Sequence, residues 1–295
     1  MKNIFIIWLC LFGLHIHVYS QQDLIYAQDK YMLLTFNAAS AGVYATDETY
    51  ASSSISYRNQ WLGFEGAPTT ISALLDYRLK EKKIGLGLTL FNDRIGTESK
   101  FEIGGNYAYR IQLKDGFINA GIRTGVSLFR NDFSKINNSE IGDIYSEEND
   151  QYTVFSLGLG FVYKNENITI GFAIPSLFSL AENDVEKYKS QHFYFTGEFK
   201  LGDYTQDVRF EPNVSFKYHS SLPAQIKIGV NIWVFKKIIP SIHFRMDDAI
   251  ILGCIYDINS NFTVGLGYEI TVSELRKASD NSIEIFFRHR WNGSY

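Results

Sequence analysis

From about residue 50 to the C-terminus, apolar and polar residues alternate with a period of two. In Phe101-Glu102-Ile103-Gly104-Gly105-Asn106-Tyr107-Ala108-Tyr109-Arg110-Ile111-Gln112-Leu113, apolar or aromatic residues take most odd positions, and small, polar or charged residues take the even ones. Successive strand side chains point to opposite faces, so each such run has one apolar and one polar face. Ile84, Leu86, Leu88 and Leu90 alternate with Gly85, Gly87 and Thr89; Val208, Phe210, Val214, Phe216 and Tyr218 alternate with Arg209, Glu211, Asn213, Ser215 and Lys217. A soluble sandwich would show the same period with its apolar face inside. Here the polar face is heavily charged and the runs are about ten residues long, the length of a tilted membrane-crossing strand. The pattern therefore predicts an all-β fold, an antiparallel transmembrane β-barrel.

The alternation predicts fourteen strands, at about 49–59, 69–80, 83–92, 98–113, 117–130, 152–164, 167–175, 190–202, 206–218, 224–235, 237–246, 249–257, 261–271 and 282–291. The connections supply a second test. The even-numbered ones are short, whereas the odd-numbered ones include every long loop: 59–68, 131–151, 176–189 and 272–281. Outer-membrane barrels have short periplasmic turns and longer outer loops. An N-terminus in the periplasm reproduces this parity.

Residues 1–20 read as a secretory signal: Lys2 is the charged region, Ile4–Leu14 the apolar run, and Val18-Tyr19-Ser20 the cleavage site. The apolar run is short for a membrane anchor. Residues 21–48 precede the alternation and are expected to be a non-barrel segment, periplasmic or tucked into the lumen; residues 49–295 form the barrel. Removing Cys10 with the signal leaves Cys254 alone, so no internal disulfide forms.

Composition sharpens the picture in three ways. The 23 Phe and 19 Tyr fit aromatic girdles at both membrane interfaces. A formal charge of −4 is not that of a nucleic-acid binder. The polar face mixes signs, with Glu102, Arg110, Arg123, Arg209, Glu211, Lys217, Lys227, Glu269, Glu284 and Arg288, which suggests a lumen braced by ion pairs rather than a charge-selective pore. Alternate glycines (Gly85/Gly87, Gly158/Gly160, Gly265/Gly267) complete no phosphate-loop spacing and read as small lumen-facing residues. No hydrolase, zinc-protease or redox motif is present. His192, His219, His243 and His289 are scattered, and the acidic 131–151 loop lacks EF-hand spacing. No catalytic residue, cofactor, metal or small-molecule substrate is expected.

One string is distinctive: Tyr57-Arg58-Asn59-Gln60-Trp61-Leu62-Gly63-Phe64-Glu65-Gly66-Ala67-Pro68-Thr69-Thr70. It resembles a signature of the PorP/SprF family of outer-membrane proteins linked to the type IX secretion system. Asn37-Ala38-Ala39-Ser40-Ala41-Gly42 resembles the family's Asn-Pro-Ala-Tyr-Ala-Gly, with Ala38 and Ser40 as departures. Gly85-Leu86-Gly87 followed by Asn92-Asp93-Arg94-Ile95-Gly96 resembles its Gly-rich second hairpin, and Gly171–Pro175 also fits. The resemblance implies a barrel of about fourteen strands in the outer membrane, in contact with lipid. It implies a non-catalytic role in secreting or anchoring surface proteins. The implied partners are a secreted adhesin's C-terminal domain and periplasmic ring lipoproteins of the secretion machine. Candidate partner-binding residues are Asn37, Gly42, Arg58, Gln60, Trp61, Gly63, Gly66, Pro68, Thr70, Asn92 and Asp93. Trp61, Phe64 and Pro68 sit in the first long outer loop, read either as a rigid grip or as interfacial anchoring plus turn chemistry. The alternative function is a pore for small solutes.

Overall fold

A computed structural model describes residues 26–45, 49–79, 83–132, 150–182, 192–202, 206–219, 222–277 and 280–292. The expected export segment 1–20 and residues 133–149 of the acidic loop lie outside these. Fourteen antiparallel strands close into one barrel, each beside its neighbours in sequence, with the last strand beside the first. They are β1 Thr49–Asn59, β2 Thr69–Leu79, β3 Ile84–Ile95, β4 Glu98–Leu113, β5 Gly116–Asn131, β6 Asp150–Lys164, β7 Ile168–Ala181, β8 His192–Phe199, β9 Val208–His219, β10 Leu222–Val234, β11 Ile238–Arg245, β12 Ala249–Asp257, β13 Phe262–Thr271 and β14 Ser282–Asn292.

The seam runs from Thr49 opposite Asn292 to Asn59 opposite Ile283. Closure leaves no free backbone edge between first and last strands, which hydrocarbon would not tolerate. No helix among the described residues is long and apolar enough to cross a membrane; the strands do the crossing.

The predicted facing holds. On β4, Phe101, Ile103, Tyr107, Tyr109 and Ile111 are exposed on the outer wall, whereas Glu102, Asn106 and Ala108 are buried in the lumen. Arg123, Arg209, Glu211, Lys227, Glu269 and Glu284 are likewise buried inside. This inversion, with polar residues inside and apolar residues outside, is what a lipid solvent selects. Cys254 stands exposed on β12, on the outer face with Leu252 and Tyr256.

Two strands run past their predicted ends. β3 continues to Ile95, because Asn92–Arg94 pair with Thr69–Ile71. β7 continues through Pro175 to Ala181, so residues 176–181 are strand rather than loop. Pro175 is accommodated at a bulge, where a missing N–H costs the ladder nothing.

Candidate functional site

Residues 26–45 lie inside the barrel. Their order is a helical turn, α1 Asp29–Met32, then two 3₁₀ turns at Leu33–Thr35 and Ala38–Ser40. Local chemistry fixes the last turn. Asn37 Oδ1 accepts from the Ala39 N–H at 2.9 Å, and Ser40 Oγ donates to the Asn37 carbonyl at 2.7 Å. Tyr26, Met32, Leu34, Phe36 and Ala41 form an apolar cluster against Leu74, Ala108, Ala173, Tyr194 and Phe286 of the wall. Phe36 stacks on Tyr194 with ring centroids 4.9 Å apart, and the Lys217 ammonium lies 4.3 Å from the Phe36 ring centre.

The wall carries a matched seat. Gly85, Ala108, Gly121, Gly160 and Ala173 face one another in register across β3 to β7, a continuous row of the smallest side chains. The 37–42 backbone is pressed onto this row. A Cβ at Gly121 would lie 2.4 Å from Ala39 N; one at Gly85 would lie 2.1 Å from the Ala41 carbonyl oxygen; one at Gly160 would lie 2.0 Å from Asn37 Oδ1. None of these gaps admits a methyl group. Polar groups beside the row complete the fit. Asn119 Nδ2 donates to the Ala39 and Ala41 carbonyls at 3.0 and 3.2 Å. Asn37 Nδ2 reaches the wall carbonyls of Phe161 and Phe172 at 3.2 and 3.3 Å. Gly42, at φ +69°, donates its N–H to Asp76 at 2.7 Å, and its carbonyl accepts from Arg110 at 2.7 Å.

The opposite wall holds the segment by charge. Lys30 Nζ contacts Glu211 at 2.6 Å and Glu198 at 2.9 Å, and Asp29 pairs with Lys227. Burial pushes the Asp29 carboxyl up, but Lys227 and Lys217 pull it down by more, so it sits below the usual carboxylate range. Burial likewise pulls Lys30 down, and Glu198 and Glu211 more than offset it, holding the ammonium well above its ordinary value.

Above the segment, towards the end with the long connections, lies a second cluster. Arg58 grips Glu269 with two contacts at 2.5 and 2.8 Å, and Glu269 also accepts from Arg245 at 2.6 Å. Glu284 sits 3.6 Å from Arg58 and accepts the Ala27 N–H at 2.7 Å and the Gln28 N–H at 3.2 Å, joining this network to the lumenal segment. Arg58, Glu269 and Glu284 are all completely buried. Such a network survives only because every charge is paired.

The first outer loop, 60–68, leaves β1 just after Arg58. Pro68 returns the chain so that its carbonyl accepts the Gln60 N–H at 2.9 Å. Trp61, Gly63 and Gly66 hold φ values of +50°, +81° and +76°. Leu62 exchanges backbone bonds with Asn281 and Asp280, and Gly66 accepts from Gly96 N–H at 2.8 Å. The loop is thus stitched to its neighbours on both sides. Phe64 at its tip is exposed. Thr70 Oγ1 bonds Asp93 Oδ1 at 2.5 Å just inside the rim, and Asn92 faces Ile71 and Phe101 in the wall.

The sequence candidates therefore divide into two groups. Asn37 and Gly42 belong to the lumenal segment. Arg58, Gln60, Trp61, Gly63, Gly66, Pro68, Thr70 and Asp93 gather at the outer rim, with Asn92 next to Asp93 in the β3 wall. Sequence reasoning missed Asp29, Lys30, Asn119 and Gly121 as parts of the seat. The available signal was a charged pair inside a segment otherwise rich in small and apolar residues. Among the described residues, no three His, Cys, Asp or Glu side chains come together to hold a metal ion. His192 and His219 meet edge-on with centroids 4.3 Å apart.

Solved structures with this architecture are outer-membrane barrels. A CymD monoaromatic hydrocarbon channel aligns at TM-score 0.52 and 10% identity, covering 94% of this chain and 95% of its own. A TodX deltaS2S3 mutant monoaromatic hydrocarbon channel aligns at TM-score 0.50 and 10% identity, covering 88% and 94%. The Acinetobacter baumannii outer membrane protein Omp33 aligns at 0.48 and 8% identity, covering 83% and 99%. At these identities the likeness is one of fold. Curated protein sequences give no match. The sequence profile described as "Type IX secretion system membrane protein PorP/SprF" matches residues 18–289, nearly the whole chain. The rim loop and the lumenal Asn37–Gly42 turn, which carry the family-like motifs, both fall within that match, and the chain belongs to the PorP/SprF family of type IX secretion outer-membrane proteins.

Proposed function

We propose that this protein is a non-catalytic docking barrel. In this reading it holds a secreted surface protein by its C-terminal domain, or a component of the secretion machine, at the outer membrane. The observation that carries the reading is the filled lumen. Residues 26–45 are anchored to the wall on opposite sides, by the small-residue row across β3–β7 and by the ion pairs to Glu198, Glu211 and Lys227. A barrel filled in this way offers partners its rims rather than a conduit, which disfavours the small-solute pore. Residues 1–20 are removed after Ser20 on export, and the segment 21–48 then supports the barrel through its lumenal residues 26–45. The stitched loop 60–68, with Phe64 exposed and Trp61 beside it, is the gripping element at the outer rim.

The test is capture of the tagged protein from its native envelope in mild detergent, with mass spectrometry of what remains bound. Retention of a large secreted protein through its C-terminal domain supports the anchor role. Periplasmic lipoproteins in its place assign the barrel to the machine. A monomer without partners, conducting in planar bilayers, overturns the reading in favour of the pore.

A further inference from the structure

The lipid-facing wall is indented about half-way along β4 and β5. Gly105 faces Leu88 of β3 on one side and Thr124 of β5 on the other, and its neighbours on the outer face of β4, Ile103 and Tyr107, are exposed. A Cβ at Gly105 would meet only Thr124 Oγ1, at 3.4 Å. Leu75, Tyr77, Leu88, Tyr107 and Ile122 stand around this pair of small residues and border a concavity of about 410 Å³, within the range of about 300–1,000 Å³ typical of small-molecule pockets. Lumenal packing does not ask for this glycine. Gly104 beside it must be small, because a Cβ there would lie 2.5 Å from Thr89 Oγ1 and 2.6 Å from Arg123 Nη2. Gly105 points the other way, where a larger side chain would fit and would strengthen the strand.

The face on which the concavity opens is the one that hydrocarbon wets. Its bordering side chains are exposed on the outer wall, and a concavity left unfilled there forfeits the contacts of the atoms that line it. In hydrocarbon no hydrophobic drive operates, and association follows van der Waals packing instead. The tyrosines give the site a direction. Tyr77 and Tyr107 both face Leu86, one row nearer the periplasmic turns than Gly105, and Tyr109 lies a row beyond. Tyrosine rings favour the membrane–water interface, at headgroup level. Toward the outer end the exposed Ile103 and Val126 stand in the way. The concavity therefore leads from the periplasmic girdle toward the middle of the membrane.

We propose that this concavity binds one acyl chain of a phospholipid from the periplasmic leaflet, with the tail against Gly105 and Thr124 and the glycerol end beside Tyr77 and Tyr107. The site is separate from the rims and the lumen, and it does not depend on the partner-binding reading above.

Native mass spectrometry of the full-length barrel, released from its own envelope in mild detergent, reads the bound lipid directly. Wild type retains one phospholipid. Gly105→Leu fills the indentation and lowers the retained fraction about tenfold or more, while heat-modifiable gel mobility stays normal. No retained lipid, a retained lipid of the outer leaflet, or equal retention in wild type and variant overturns the proposal. A second measurement uses wild type alone and so is independent of how the variant folds. In nanodiscs whose phosphatidylethanolamine carries a diazirine near the end of one acyl chain, photolysis labels peptides from 101–126 about tenfold more than peptides from the β9–β13 wall. Labelling spread evenly around the barrel means annular lipid only, and the site is wrong.

Discussion

Gly121→Ala adds one methyl group to the lumenal wall and tests whether the seat is a backbone-on-backbone fit. Its Cβ would stand 2.4 Å from Ala39 N, 2.6 Å from the Ala38 carbonyl carbon and 2.7 Å from Ala39 Cα. All three are backbone atoms, so no side-chain rotation relieves the clash, and the 38–39 turn must retreat by roughly an ångström to reach ordinary contact. That retreat stretches the Asn119 bonds to the Ala39 and Ala41 carbonyls, now 3.0 and 3.2 Å. Overpacking of this kind costs about 1–3 kcal/mol, which raises the unseated fraction of the lumenal segment about 5–150-fold. Hydrogen exchange of residues 36–43 in micelles reads that fraction, and heat-modifiable mobility on gels reports whether the barrel itself is intact. Gly105→Ala is the control, because its added methyl group would meet only Thr124 Oγ1 at 3.4 Å and leaves exchange unchanged. Equal exchange in Gly121→Ala and wild type would refute the account of the small-residue row.

Glu269→Gln leaves Arg58 and Arg245 buried with one partner fewer; a broken buried pair costs about 3–5 kcal/mol, seen as a drop in the temperature at which the folded gel band disappears. Ile285→Asp places a charge on the lipid face, where Ile285 is half exposed. At mid-membrane this costs on the order of 2–4 kcal/mol and blocks assembly, so normal heat-modifiable mobility would contradict the facing. The carboxyl of Asp29 lies below its ordinary range. Its stabilising contribution is therefore complete above the unfolded value near 4 and fades as pH falls below it. Exchange of residues 29–33, after correction for intrinsic rates, should rise as the pH falls below that value. Asp29→Asn should remove that acid-dependent rise; a rise that persists in the variant assigns it elsewhere.

The period of two was enough to give the class of fold, the fourteen strands and the facing of each wall residue. In a barrel every strand has one lipid face and one lumenal face, so Phe101 and Glu102 report their sides without reference to any distant contact. The long connections expected at 59–68 and 272–281 were equally legible, whereas residues 176–181 of the expected 176–189 loop are strand. What the sequence left open is what long-range pairing decides. The alternate glycines read only as small residues, since Gly121 meets Ala39 across 82 positions of chain and no local pattern encodes that meeting. The Asn37–Gly42 turn had a motif but no address until barrel closure brought β3 to β7 around it. The alternation placed a strand end at Pro175. A bulge opposite Gly158 lets the strand run on, and only the register between β6 and β7 shows it. Local alternation thus fixed the inside and outside of this protein, whereas the contents of its lumen depend on which strands become neighbours.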